Sequence, residues 1–335
     1  MRRSKNLRTD SKGIIMRKPK IFEFSTVVVS LFVLLFVFAY GEVASAVTYY
    51  VSPTGNDSNN GSINAPFKTI QKAADVVNPG DTVIVRDGIY TTDRGGDLLI
   101  IKRGGTANAP ITFKAENKWK AILDGLGNKT WNGIIITATA PYTIIDGFEI
   151  KDFHENGIAL YANNITIRNN YIHNIGNYHI VSDYPYCTKY GVQEPGCRCE
   201  PSNGIYPDGN NVLIENNVIH TIGKTGWTGK YEPGRYDHAI YGTYVNNLKI
   251  INNIILDVWT GKAIDFAASN SIVANNTILR LTEPPSGQPT DSGLMAITGG
   301  SNQIVQNNIG GWLIPYIGDF LNENKRDKKC ETKRF

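Results

Sequence analysis

Residues 212–219 read VLIENNVI and residues 248–255 read LKIINNII. In both, aliphatic residues lead into an Asn-Asn pair, and further β-formers follow. Five more stretches share the phrase with Asn-Asn or Asp-Gly: AILDGLG (121–127), TIIDGFEI (143–150), ITIRNNYI (165–172), SIVANNTI (271–278) and QIVQNNI (303–309). The pairs begin at Asp124, Asp146, Asn169, Asn216, Asn252, Asn275 and Asn307, which are 22, 23, 47, 36, 23 and 32 residues apart. A period of 22–23 residues with longer intervals describes stacked supersecondary units carrying loop insertions. Each unit is too small to bury its apolar face alone.

A second set of strands aligns to the same period: NGIIIT from Asn132, NGIALY from Asn156, NGIYPD from Asn203, HAIYGT from His238, KAIDFA from Lys262 and GLMAIT from Gly293. Alternation along each strand predicts an inward column of Ile134, Ile158, Ile205, Ile240, Ile264 and Met295. The Asn-type strands predict a second column of Ile145, Ile167, Ile214, Ile250, Val273 and Val305. Asn170, Asn217, Asn253, Asn276 and Asn308 recur at one place in the turn. An inward amide there can bond backbone and the Asn in neighbouring coils, so these asparagines read as scaffold. Asn-x-Ser/Thr matches such as Asn164 and Asn275 belong to that pattern rather than to glycosylation. The expected fold is all-β, a right-handed parallel β-helix solenoid with a short N-terminal capping helix.

Before the first coil, residues 47–58 alternate β-formers and then turn polar. APFKTIQKAADVV (65–77) sets Phe67, Ile70, Ala74 and Val77 on one helical face, and Pro79-Gly80-Asp81 ends that helix. A solenoid needs such a cap because its terminal coil would otherwise expose core and an unpaired strand edge. The stretch YYVSPTGNDSNNGSINAPFKTIQKAADVVNPGDTVIVRDGIY (49–90) resembles the amino-terminal cap of right-handed parallel β-helix proteins of the pectate-lyase-like superfamily. With the Asn-Asn coils, the resemblance covers residues 47–310. It implies the fold and leaves activity open, because the superfamily holds lyases, hydrolases, epimerases, phage tailspikes and proteins of unknown role.

The leader MRRSKNLRTDSKGIIMRKPK precedes the apolar run FSTVVVSLFVLLFVFAYG and then Ala44-Ser45-Ala46, the order of a secretory signal peptide over residues 1–46. An uncleaved anchor is the alternative, since the run is long for a signal, and Met16 is an alternative start. The first 46 residues hold eight Lys/Arg and three Asp/Glu. Without them the formal charge falls from +4 to −1, so no nucleic-acid footprint remains. The expectation is a secreted or cell-surface monomer that engages polysaccharide, with no stable membrane insertion once the signal is removed. The domain plan is a cap with first coils at 47–115, coils with insertions at 116–318, and a disordered tail at 319–335 that ends without a carboxy-terminal cap.

Three insertions enter after the Asn-Asn turns: SDYPYCTKYGVQEPGCRCEP (182–201), GKTGWTGKYEPGRYD (223–237) and EPPSGQPTD (283–291). All should emerge along one side of the solenoid, where such scaffolds place function. In an exported chain, a disulfide between Cys187 and either Cys197 or Cys199 leads over a zinc site. Cys330 lies in the tail.

The aligned strands predict one outward row of Ile135, Ala159, Tyr206, Tyr241, Asp265 and Ala296, and a second of Thr137, Tyr161, Asp208, Thr243, Ala267 and Thr298. Tyr161, Tyr206, Asp208, Tyr241 and Asp265 form a patch, with His238 and Lys262 at its edge. Trp227, Tyr231, Arg235, Tyr236, Tyr184, Tyr186 and Tyr190 belong to the insertions. Aromatic faces with carboxylates and amines suit sugar rings; an ordinary solvated sheet face is the plainer alternative.

Three chemistries fit. A lyase or epimerase acting on a uronate needs a base, Lys262 or His238, and a cation, Arg235 or Ca²⁺ held by Asp208 and Asp265. An inverting hydrolase needs two carboxylates; Asp208 and Asp265 stand two coils apart, about 9–10 Å at ~4.8 Å per coil. The third is adhesion without chemistry. The chain has no DDG-like calcium cluster of the kind found in family 9 pectate lyases, no GHG or RIK motif like those of polygalacturonases, and no DPHE motif like that of mannuronan epimerases. Asp237-His238 is the nearest fragment. His173 and His220 share a coil position and should stack. His154, His179 and Asp183 are ambiguous, and Asp57 reads as a polar turn with Ca²⁺ as its alternative.

Overall fold

The computed structural model of the chain describes residues 45–92, 96–127, 129–176, 202–223, 237–258, 261–280, 294–297, 300–312 and 333–334. The leader to residue 44, all four cysteines, His179, Asp183, Tyr184, Tyr186, Tyr190, Trp227, Tyr231, Arg235, Tyr236 and Thr298 lie outside them. So does the tail apart from 333–334.

From Ala46 onward the described strands form three sheets, two of nine strands and one of seven, and the seven full coils between Thr82 and Ile297 each add one strand to each sheet. Among the described strands the pairings are parallel except the short antiparallel contact of Ile309–Trp312 with Lys333–Arg334; two isolated antiparallel bridges, Ser62–Ala65 and Thr106–Ala109, lie outside the strands. The seven-stranded sheet runs through Leu99–Ile101, Asn132–Ile136, Asn156–Leu160, Asn203–Pro207, His238–Asn246, Ile264–Ser269 and Met295–Ile297; we call it the front sheet. Its register follows the sequence alignment: Ile134 pairs with Ile158, Ile158 with Ile205, Ile205 with Ile240, Ile240 with Ile264, and Ile264 with Met295. The five isoleucines are fully buried, and Met295 at the last coil is only partly so. Burying one such side chain is worth roughly 1.5–3 kcal/mol. The second column also holds, from Ile145 through Ile167, Ile214 and Ile250 to Val273 and Val305.

The Asn-Asn pair divides two tasks. The first Asn turns the corner in the left-handed region, with φ of 59° at Asn169, 57° at Asn216, 58° at Asn252, 58° at Asn275 and 54° at Asn307. Asparagine tolerates that region better than other side-chain-bearing residues. The second Asn points inward and builds the ladder. Asn253 Oδ1 accepts from Asn217 N and Nδ2, both at 3.0 Å, while Asn253 Nδ2 donates to Asn276 Oδ1 at 3.0 Å and Ile214 O at 2.9 Å. The buried corner carbonyls and amides thus find partners.

The two Asp-Gly phrases are not copies of that turn. Asp146 pairs with Arg168, so Gly147, with φ 83°, takes the left-handed place of Asn169. Phe148 N then donates to Asn170 Oδ1 where the ladder begins. AILDGLG belongs to a different sheet altogether: its strand Ala121–Asp124 pairs with Glu149–Lys151.

The cap helix spans Ile70–Val76. Thr69 is its N-cap, accepting from Lys72 N, so the helix starts later than the apolar pattern suggests. Gln71 lies on its outer side and treats Ile100 as a strand partner would. Its Oε1 accepts from Ile100 N at 2.8 Å and its Nε2 donates to Ile100 O at 3.0 Å. The first strand of the front sheet therefore has part of its open edge covered.

Candidate functional site

Three successive coils of the front sheet begin with Asn-Gly-Ile, at Asn132, Asn156 and Asn203. Asn156 Nδ2 donates to Asn132 Oδ1 at 2.8 Å, and Asn203 Nδ2 donates to Asn156 Oδ1 at 2.9 Å, making a third amide ladder. Glycine follows because the coils press close there; a Cβ at Gly204 would lie 2.6 Å from Ala239 O and 2.8 Å from Ile219 Cγ2. His238 pairs with Asn203 and takes the next rung. An imidazole there supplies no amide donor upward, and Asn203 Oδ1 is left buried without a hydrogen-bond partner.

His238 is buried, 1% exposed. Its Nδ1 lies 2.9 Å from Lys262 N and 3.3 Å from Lys262 O. The shorter contact, from an obligate donor, assigns Nδ1 as acceptor and places the proton on Nε2. Nε2 faces Asp265 Oδ2 at 3.9 Å. Burial lowers the His238 pKa despite the opposing carboxylates of Asp265 and Asp237. The ring is therefore a neutral imidazole at pH 7, with its proton directed at Asp265. Gly261 permits this approach, since a Cβ there would stand 2.9 Å from His238 Nδ1.

Asp265 Oδ2 accepts from Lys262 Nζ at 2.8 Å. The Lys262 side chain is 33% exposed and the Asp265 side chain 15%, so the pair opens toward solvent above the buried imidazole. A line of rings leads to it across the sheet. Tyr161 meets Tyr206 edge-on at 6.1 Å, Tyr206 stacks with Tyr241 at 5.9 Å, and Tyr241 stacks with His238 at 4.8 Å. Tyr161 is 42% exposed, and Tyr206 and Tyr241 are partly so. Burial, with Tyr206 and then Glu155 beside it, pushes the Tyr161 hydroxyl pKa upward, so it remains a donor at neutral pH.

Asp208 stands apart from this centre. Its N–H reaches Leu160 O, in the row of Tyr161 rather than that of Asp265. Two strand spacings and two residue rises put the two aspartate Cα atoms about 12 Å apart. Lys262 holds the Asp265 carboxylate toward the strand start, away from Asp208. Burial raises the Asp208 pKa. Among the described residues, no three His, Cys, Asp or Glu side chains converge on a point that could hold a metal ion. Asp208 and Asp265 are too far apart to hold one Ca²⁺ between them.

Three features of this face escaped sequence reasoning. The Asn-Gly-Ile ladder and its interruption at His238 were legible as repeated NG but not as hydrogen bonds. Between Gly242 and Val245 the register shifts, so Thr243 does not sit opposite Ala267 as expected. Ala159 is outward in register yet completely buried. His173 and His220 do stack, 5.0 Å apart and 6° from parallel, but on another sheet. His154 lies near Trp131, and Asp57 caps the helix entrance through Lys68 N and Thr69 N. The described chain leaves the sheet that contains Tyr171–Ile175, Val218–Ile222 and Thr277–Arg280 at Gly176, Gly223 and Arg280, and resumes at Ser202, Asp237 and Leu294. All three insertions are therefore rooted at the same corner, beside the front sheet.

Residues 49–185 match the family model described as "Pel9A-like, right handed beta helix region". Tyr161 lies within that segment, whereas Tyr206, Asp208, Tyr241, Lys262 and Asp265 follow it. The chain is 30% identical over 146 residues to "Uncharacterized protein YwoF" of Bacillus subtilis, covering 40% of this chain and 30% of the relative. It is 31% identical over 138 residues to pectate lyase L of Dickeya dadantii, covering 38% and 32%. The match thus spans about a third of the length of these curated relatives. The crystal structure of pectate lyase Pel9A overlays with a TM-score of 0.42 at 16% identity, over 80% of each chain.

Proposed function

We propose that this chain, which belongs to the pectate-lyase-like superfamily of right-handed parallel β-helix proteins, binds an acidic polysaccharide across its front sheet and cleaves it by β-elimination at Lys262 and Asp265. The observation that carries this reading is the Lys262–Asp265 pair, open to solvent at the end of the Tyr161–Tyr206–Tyr241 row. Tyrosine faces accept the C–H faces of sugar rings. Similarity to pectate lyase L, over a third of that enzyme, supports the substrate class.

In a uronate the C5 hydrogen is acidified by the adjacent carboxylate. Lys262 acts as the base in its amine form. It takes the C5 proton, the C4–O bond breaks, and the C4=C5 double bond forms. The departing oxygen takes its proton from water, and Asp265 holds Lys262 in place. His238, with Nε2 3.9 Å from Oδ2, backs the carboxylate without a hydrogen bond and does not touch the sugar. An epimerase would begin with the same proton abstraction and return a proton to the opposite face of C5. Arg235, outside the described residues, remains the candidate for pairing with the uronate carboxylate, and Trp227 and Tyr236 remain candidate binding residues.

The basic–apolar–small order of residues 1–46 supports export. No helix among the described residues is long and apolar enough to cross a membrane. Incubation of the purified protein with alginate, pectate and chondroitin, with and without EDTA, tests the function. Absorbance from an unsaturated uronate should rise with one of them. Binding without such a product would instead establish an adhesin, the second reading, which the closed Lys262–Asp265 ion pair favours.

A further inference from the structure

Asp81 is buried, 2% exposed, at the turn between the cap helix and the strand Thr82–Val85. Its Oδ1 accepts from Val47 N at 2.7 Å and its Oδ2 from Asn78 N at 2.8 Å. Both oxygens act as acceptors, as those of an ionised carboxylate do. The Asp81 N–H donates to Asn78 O, and Thr82 N donates to Val47 O. One side chain thus ties the chain entering the first strand, Thr48–Val51, to the turn that follows the helix. Among the described residues no cation pairs with it. Arg103, bound to the same turn, donates Nη2 to Asn78 Oδ1 at 2.8 Å instead. A charge withdrawn from water without a counter-charge is costly, and two backbone amides offset only part of that.

The sequence offers a counter-charge at the nitrogen already in contact. Ala44-Ser45-Ala46 has the small-x-small form that precedes a signal-peptidase cut, which places the scissile bond between Ala46 and Val47. Ser45, Ala46 and Val47 are exposed, and the first strand begins one residue later. Hydrolysis adds water across this bond: Ala46 keeps the carboxylate, and Val47 keeps the amine, which takes up a proton from solvent. The amide N–H that reaches Asp81 becomes an α-ammonium group, while the bond from Thr82 N to Val47 O is retained. A cut one residue earlier or later would put the new charge on a nitrogen that makes no bond to Asp81.

We propose that Asp81 is the receptor for the amino terminus that cleavage of Ala46–Val47 creates, so that maturation completes the cap with an ion pair. The inference rests on the export of the chain through residues 1–46 and is independent of the chemistry at Lys262. An opposite charge in contact with the amine favours its protonated form, and a bond charged at both ends then holds the entry to the first strand.

The test expresses the full chain in a secreting bacterium and sequences the exported protein from its amino terminus. Val47 should be the first residue. The α-amine is then acylated over a pH series, folded and in urea, with the amino-terminal peptide followed by mass spectrometry. The rate follows the unprotonated amine, so the midpoint of each profile gives its pKa irrespective of access. The unfolded chain should titrate at about 7.7–8.0, and the folded chain at least about one unit higher. Asp81→Asn should return the folded midpoint to the unfolded value; if that variant does not fold, the wild-type comparison decides alone. A leader that stays attached, or a chain that is not exported, overturns the export reading and the receptor together. An exported chain that starts at another residue, or a Val47 amine with one midpoint folded and unfolded, overturns the receptor and leaves export standing.

Discussion

Lys262 Nζ and Asp265 Oδ2 lie 2.8 Å apart, and the same carboxylate oxygen stands 3.9 Å from Nε2 of the buried His238 ring. The carboxylate thus sits between a partly exposed ammonium group and a buried imidazole. Replacing Lys262 by Ala should lower turnover of the responsive polyuronate by about 10²–10⁴, the range of a positioned general base. The midpoint of thermal unfolding should hardly change, because a partly exposed ion pair contributes little to stability. Turnover within a few-fold of wild type would remove Lys262 from the chemistry.

His238→Asn should separate stability from activity. An Asn at this rung can donate its amide to Asn203 Oδ1, as Asn203 does to Asn156. Satisfying that acceptor should stabilise the chain by about 1–2 kcal/mol. Loss of Nε2–H beside Asp265 should lower kcat more than it changes KM. Denaturant unfolding and steady-state kinetics on the same preparation measure both. A variant that is less stable than wild type would refute the ladder account.

The Asn-Asn pair should respond unequally to substitution. Asn253→Ala removes the partners of Asn217 and Ile214 O and should cost on the order of 2–5 kcal/mol. Asn252→Gly should change stability by less than about 1 kcal/mol, because glycine readily adopts its φ of 58°. Urea midpoints of the two variants would decide the point; equal losses would contradict the division of tasks.

His220 supplies a pH dependence. Burial first, and then the neighbouring His173, lower its pKa from 6.5 to about 4. Tyr171 Oη lies 2.6 Å from its Nε2 and Thr221 Oγ1 lies 2.8 Å from its Nδ1, an arrangement that suits the neutral ring. The unfolded chain takes up this proton near pH 6.5, whereas the folded chain does so only near pH 4. The contribution of His220 is therefore complete above about pH 6.5 and is lost as pH falls toward 4. His220→Gln should flatten the pH dependence of stability between those values. Parallel wild-type and variant curves would show that other groups set it.

Tyr206 sits in the middle of the ring row, within stacking reach of both neighbours. Tyr206→Ala should weaken polysaccharide binding by about 0.5–1.5 kcal/mol, while the same change at Tyr50, on the cap, should leave it unaltered. A binding assay in which both variants match wild type would remove the row from recognition.

The sequence carried the scaffold openly because solenoid coils repeat both their core and their corners. Isoleucine columns and the second Asn of each pair could be read by alignment alone, since each position meets its own copy one coil away. Asp146-Gly147 misled that alignment by one residue, because glycine solves the corner without a side chain and Phe148 then occupies the ladder position. A further ladder at the exposed corner, where Asn211 Nδ2 donates to Asn164 Oδ1 and Asn247 Nδ2 to Asn211 Oδ1, was hidden among ordinary turn asparagines. At the front face the register of Tyr206, Tyr241 and Asp265 was visible. The burial of His238 was not, because period-2 alternation says which face a side chain takes and nothing of how neighbouring backbone closes over a strand start. The separation of Asp208 from Asp265 was underestimated for a related reason: counting coils gives the distance along the solenoid and omits the offset along the strand.

The most direct test of elimination at Lys262–Asp265 is the mass of the oligosaccharides released from the polyuronate that the protein acts upon. Elimination predicts fragments one water lighter than the corresponding hydrolysis products, absorbing in the ultraviolet, and absent with Lys262→Ala. Saturated fragments carrying the added water, or bound but uncut polymer, would contradict it.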